Sequence, residues 1–185
     1  MKPLRLTLPI CAIGLLVLTA TAVAQDADKE KLIAIEKAFA ANPDPGPKSA
    51  AVAKQYLYDG PLNQLTLTGR VGTLPKARVV ELSAKPDPTD PNVKTSLTVS
   101  DFHVDIYGST ALVSYKQTNT DTGHKDPALD FTYHLGCLDT FVKNKDAWYW
   151  VGGGCSSETP IPQLVWDAIE RAMELEPKDI QQAYH

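Results

Sequence analysis

Cysteine, histidine and methionine are all scarce in this chain of 185 residues, with three, four and two copies respectively. The histidines, His103, His124, His134 and His185, are scattered. No His-Glu-x-x-His occurs and no Cys or His pair has zinc spacing, so the familiar zinc sites are excluded and no metal is expected. A Gly-x-Ser-x-Gly elbow is also missing. Gly152-Gly153-Gly154 lacks the Lys-Ser/Thr that a phosphate loop requires, and no cofactor fingerprint appears elsewhere. There is no basic surplus: 18 Lys and Arg stand against 22 Asp and Glu. A formal charge of −4 offers no electrostatic footprint for nucleic acid or an anionic membrane. Past the N-terminus no apolar run is long enough to span a bilayer.

What is present begins with an export signal. Lys2 and Arg5 precede an apolar run from Leu6 to about Thr19, and Ala22-Val23-Ala24 supplies a small-x-small cleavage pattern. Cleavage after Ala24 is expected, leaving residues 25–158 as one domain and 159–185 as a terminal helix and tail. The apolar run is short for a membrane anchor and is interrupted by Pro9 and Gly14. Cys11 has Pro9-Ile10 before it, where a lipoprotein signal wants small residues. Loss of Lys2 and Arg5 takes the formal charge from −4 to −6. The expected location is the periplasm or outside the cell, with no membrane attachment after cleavage.

Hydrophobic periodicity places a helix over Asp28–Ala41, with Leu32, Ile35 and Phe39 on one face and Lys and Glu on the other. Asn42 to Pro47 ends it. Ser49 is expected to cap a second helix running to about Leu57, and Thr73-Leu74-Pro75 to start a third ending near Ala84. Between them Leu62–Thr68 reads as a strand. Lys85–Asn92 is rich in Pro and Asp and reads either as a solvated connector or as a lid. The second half alternates as strands over 96–107, 110–118, 129–143 and 148–156, and a last helix runs from Gln163 to about Leu175. Helices followed by a meander make an α+β fold, with helices covering one face of a curved sheet.

A three-residue loop, Lys145-Asp146-Ala147, would pair Asn144 with Trp148 and bring Cys137 opposite Cys155. Opposed Cα atoms about 4.5–5.5 Å apart suit a disulfide, as does an oxidising compartment. Two free buried thiols, or a nucleophilic Cys155, are the alternatives. The same register puts His134, Gly136, Leu138 and Thr140 on one face with Trp148, Trp150, Gly152 and Gly154. Apolar walls, vacant volume and a polar group make that face the expected ligand pocket. The competing reading gives the glycines to bulges or close packing, and a bulge would invert the faces.

Several segments resemble a known family. Leu32–Phe39 resembles the first helix of SnoaL-like, ketosteroid-isomerase-like domains of the nuclear transport factor 2-like superfamily. Val104–Val113 resembles their central hairpin. Leu138–Lys143 with Asp146–Trp148 and Ser156-Ser157 resembles the closing hairpin, and Gly69–Lys76 the turn into the third helix. The nearest variety is the domain-of-unknown-function 4440 type. The resemblance implies a cone-like curved antiparallel sheet with helices packed on its concave face, a pocket at the wide end, and frequent homodimers. Gly136 and Gly154 stand where the family often carries basic or polar pocket residues. Asp139 matches a frequent family position, but the register above turns it away from the pocket.

The expected function is an exported small-molecule-binding or accessory domain for a small hydrophobic ligand. Its pocket candidates are His134, Trp150, Tyr115, Gly136 and Gly154. The alternatives are an isomerase or hydro-lyase using His134, Tyr115 or Asp139, and a dimeric interaction module. Intact-mass analysis of protein recovered from an oxidising export host should give a chain beginning at Gln25. Its denatured mass should be two hydrogens below the fully reduced value. A retained leader, or the reduced mass, would refute these two expectations respectively.

Overall fold

The computed structural model describes residues 12–85, 91–174 and 176–184. Most of the lid candidate Lys85–Asn92 lies outside them. Helix α1 spans Ala12–Ala40, so the helix expected from Asp28 extends further back. Its end is closed by Asn42, whose side-chain amide donates to the Ala38 carbonyl at 2.9 Å. Helix α2 is Pro47–Tyr56. Pro47 occupies its first turn, where a missing N–H costs nothing, so Ser49 lies inside the helix instead of capping it.

Six strands form one sheet: β1 Pro61–Leu65, β2 Val71–Pro75, β3 Lys94–Tyr107, β4 Thr110–Thr122, β5 Phe131–Asn144 and β6 Ala147–Ser157. Helix α3, Lys76–Ala84, follows β2, while α4, Gln163–Glu174, and α5, Lys178–Ala183, follow β6. The strand order is β2-β1-β6-β5-β4-β3. The fold class expected from the sequence holds: α+β, a curved sheet with helices on its concave face. One pair departs from an all-antiparallel sheet, because β1 runs parallel to β6. Strand β2 occupies residues expected to lead into α3. Its alternating burial, with Gly72 and Leu74 inward, is that of a short strand on a two-stranded turn.

The core explains these choices. Leu32 and Ile35 of α1 pack on Val104, Ala111, Val113, Leu135 and Phe141 from the concave face of the sheet. Leu32 and Phe141 are fully buried, each contributing about 2–3 kcal/mol of apolar transfer. A second cluster of Ala53, Leu57 and Leu62 joins α2 to β1. The start of this packed part of α1 is held by Asp28, which pairs with Lys143 at 2.5 Å and Lys31 at 3.1 Å. Burial alone would raise the Asp28 carboxyl, but the bonds to the two lysines outweigh it and hold the group below its ordinary range.

The β5–β6 hairpin differs from expectation in two ways that cancel. Its loop has two residues, Lys145 and Asp146, so Asn144 pairs with Ala147 and Phe141 with Trp150. Lys145 takes a left-handed φ of 55° to make that turn. A bulge at Val151 then shifts the register, and Thr140 pairs with Gly152. Beyond it Cys137 faces Cys155, and the two are joined in a disulfide with Cα atoms 4.1 Å apart.

The tail returns to the far edge of the sheet. Tyr184 bridges to Gly72 and donates its hydroxyl to the Gln64 side chain. A Cβ on Gly72 would lie 2.5 Å from the Ala183 carbonyl, so that approach needs glycine. Arg78 of α3 binds Asp179 at 2.8 Å and 3.2 Å.

Replacing Cys137 and Cys155 by serine should lower unfolding free energy by about 3 kcal/mol, the cost of releasing a loop of this size. Urea titration of the oxidised protein against the double variant checks it. Equal midpoints would show that the bridge adds no stability.

Candidate functional site

The two-residue turn and the bulge together decide which side chains face inward. On β5, Leu135, Cys137, Asp139 and Phe141 are buried, while His134 and Leu138 are exposed. Because the two-residue turn pairs Lys143 with Trp148 and Phe141 with Trp150, the two tryptophans share the inward face with Phe141 and Asp139. The expected face assignment is therefore inverted for β5 and retained for the tryptophans. Tyr115, alternating with Ala111 and Val113 on β4, also points inward.

Glu36 completes the cluster. It lies four residues after Leu32 on α1, on the apolar face and not on the solvent face where periodicity had put the helix's acids. Only 3% of it is exposed. Asp139 is similarly enclosed, and the Tyr115 hydroxyl donates to its Oδ2 at 2.8 Å. Glu36 Oε1 is buried without a protein hydrogen-bond partner.

The glycines serve this cluster differently from the way expected. Gly153 pairs with Asp139 across the hairpin, and a Cβ there would fall 1.6 Å from Asp139 Oδ1. The missing side chain is the space the buried carboxyl occupies. Gly152 and Gly154 instead admit β1: added Cβ atoms would lie 2.5 Å from the Asn63 carbonyl and 2.6 Å from Leu65 Cβ. Their role is close strand packing, the competing reading of these residues.

Glu36, Tyr115, Asp139 and Trp150 line a cavity of about 280 Å³ between the sheet, α1, α2 and α3. Phe39, Ala53, Leu57 and Val79 supply apolar walls, and Ser49, Gln64 and Ser83 add polar groups. Gln64 is the residue bound by Tyr184 of the tail. Of the five pocket candidates from sequence, Trp150 and Tyr115 line this cavity. His134 lies on the outer face, with Nδ1 2.9 Å from the Thr118 hydroxyl. Gly136 and Gly154 also lie outside the cavity, beside Leu138, Lys116 and Ser156 in a depression on the outer face.

Burial drives the electrostatics. It pushes the Glu36 carboxyl up to about 9, helped by the neighbouring Asp139 charge. Burial also raises Asp139, against hydrogen bonds from Trp150, Tyr115 and Glu36 that favour its charged form. Tyr115 is raised by burial and then by the two carboxyls. The consistent arrangement is a neutral Glu36 beside an Asp139 carboxylate, the pair sharing one proton at neutral pH. Such a pair can accept hydrogen bonds, donate one, and move a proton.

No protein-family profile matches the sequence, and no curated protein matches it. Solved structures do match in fold. A nuclear transport factor 2-like superfamily protein from Salmonella enterica aligns with a TM-score of 0.58 and 14% identity over 77% of this chain and 96% of its own. A proposed dehydratase of the NTF2-like family from Streptomyces avermitilis gives 0.57 and 16% over 73% and 99%. An NTF2-like protein of unknown function from Prochlorococcus gives 0.52 and 14% over 74% and 97%. The chain has the nuclear transport factor 2-like fold. At these identities the likeness fixes the architecture of this NTF2-like chain and leaves its chemistry to its own residues.

The raised Glu36 makes stability depend on pH. The folded protein holds a proton that the unfolded chain releases near the ordinary value of 4.5, so stability should fall as pH rises from about 4.5 towards about 9. The slope should be on the order of 1 kcal/mol per pH unit within that window. Glu36→Gln should flatten it. Denaturant midpoints across the range test this, and an equal slope in both proteins would contradict the assignment.

Proposed function

We propose that this chain is an exported small-molecule-binding domain whose ligand occupies the cavity above Glu36, Tyr115, Asp139 and Trp150. The observation that carries this reading is a built cavity between the sheet and the helices. It has apolar walls along its length and polar groups, including an unpartnered buried carboxyl oxygen, where a ligand needs orientation. Export after cleavage at Ala24 is supported by the N-terminal pattern and the formed disulfide. Among the described residues no helix is long and apolar enough to cross a membrane. Cleavage there would leave Asp28 and its lysine pairs on the mature chain.

A second reading is an acid–base enzyme, an isomerase or hydro-lyase. The specific observation favouring it is the carboxyl pair itself, in which one group is held protonated and the other charged, as acid–base chemistry requires. The proposed dehydratase among the fold relatives accords with that chemistry. The binding reading is preferred because the cavity's lining and the unpartnered Glu36 oxygen account for a held ligand without requiring a reaction.

Native mass spectrometry of exported protein should show a small molecule that is lost on denaturation, and it also reads whether the chain forms a homodimer. Val79→Phe, which fills the cavity, should lose that species while keeping its cooperative thermal transition. An empty wild type, or undiminished occupancy in Val79→Phe, would refute binding at this place.

A further inference from the structure

The cavity's chemistry is unbalanced in a way that identifies its ligand class. Asp139 is a buried carboxyl on β5 that accepts from the Tyr115 hydroxyl at 2.8 Å, with the Trp150 indole nearby favouring its charged form. Glu36 stands next to it and is 3% exposed. Among the described residues lining the cavity there is no Lys, Arg or His. The titratable groups facing the pair are Tyr115 from β4 and the two carboxyls themselves; α2, α3, β1 and β6 contribute none to the lining. A buried negative charge therefore has hydrogen-bond donors but no counter-cation. An uncompensated charge costs several kcal/mol inside a protein, and pairing relieves it.

Glu36 Oε1 is the second observation. It lines the cavity, is buried, and accepts no hydrogen bond. The site lacks a donor at that atom and a positive charge beside Asp139. One group supplies both: an ammonium. Trp150 and Tyr115 add aromatic surface next to that position, and aromatic faces attract cations. The apolar walls of Phe39, Ala53, Leu57 and Val79 require that the ammonium be carried on a compact hydrophobic body.

We infer that the cavity binds a small organic amine in its protonated form, the ammonium against Asp139 and Glu36 and the apolar body along α2 and α3. This rests on the cavity being a ligand site, as argued above, and adds the charge and class of the ligand. A neutral ligand that only accepts hydrogen bonds would leave both the charge and the Glu36 oxygen unmatched.

Benzylamine and benzyl alcohol are matched probes, similar in size and differing in the cationic group. Calorimetric titration of the full mature protein at pH 7.5 should give benzylamine at least tenfold tighter binding. Acidification should weaken benzylamine as the carboxyl pair takes up its second proton, with benzyl alcohol unchanged. Asp139→Asn should remove the preference for the amine; the pH series on wild type reads the same charge if that variant does not fold. Benzyl alcohol binding as tightly as benzylamine would overturn the ammonium assignment and leave the cavity reading standing. Binding of neither probe at millimolar concentration would overturn both.

Discussion

One extra residue in β6 sets the inside of this molecule. Without the bulge at Val151, strict alternation from the Lys145-Asp146 turn would put Cys155 out of register with Cys137. With it, the two tryptophans nearest the turn and the alternating residues of β5 face the helices together. Cys137 and Cys155 still meet beyond it. Bulges add a residue to one strand and so exchange its faces, and here that exchange falls between the aromatic and glycine parts of β6. The disulfide depends on it, while the Trp148 core contact and the Trp150 wall of the cavity are set by the two-residue turn before it.

The glycine triplet is the complement of that bulge. Three successive positions without side chains let β1 lie parallel against β6 on one side and give the Asp139 carboxyl its place on the other. A carboxylate in such a position is expensive to desolvate, so its donors matter more than its surroundings: the Tyr115 hydroxyl, the Trp150 indole and the protonated Glu36. The site is thus assembled from α1 and from β4, β5 and β6, three successive strands far from α1 in sequence. None of its members is recognisable as part of a local motif.

Much of the architecture was legible in the sequence because periodicity reports it directly. Alternation located the long strands β3 to β6, and the apolar stripe of Leu32, Ile35 and Phe39 located the packed part of α1. The cysteine pairing was equally readable, but only because a shorter loop and a bulge offset one another. Strand β2 was missed because five residues ending in Pro75 look like the approach to a helix. Trp150, picked out as a large aromatic, and Tyr115, picked out as a polar group, both line the cavity. Glu36 was missed although its spacing from Leu32 places it on the buried face, since an acid on an amphipathic helix is ordinarily assigned to solvent. Asp139 was set aside for the opposite reason: an uninterrupted register turned the tryptophans away from it. A carboxyl at an apolar position of a helix, read together with a carboxyl between two inward strand residues, was the available signal.

The parallel pairing of β1 with β6 has a kinetic side. Strands β3 to β6 are joined by consecutive hairpins, so their contacts are short-range and close small loops. Joining Asn63 to Gly152 closes a loop of about 90 residues, an entropic demand of about 4 kcal/mol from chain length alone. Contact order therefore ranks the meander and its covalent bridge ahead of the β1–β2 pair in assembly. Gln64 and Leu57, which belong to the cavity wall, sit on or beside the late-docking strand. On this ordering the cavity closes at the end of folding.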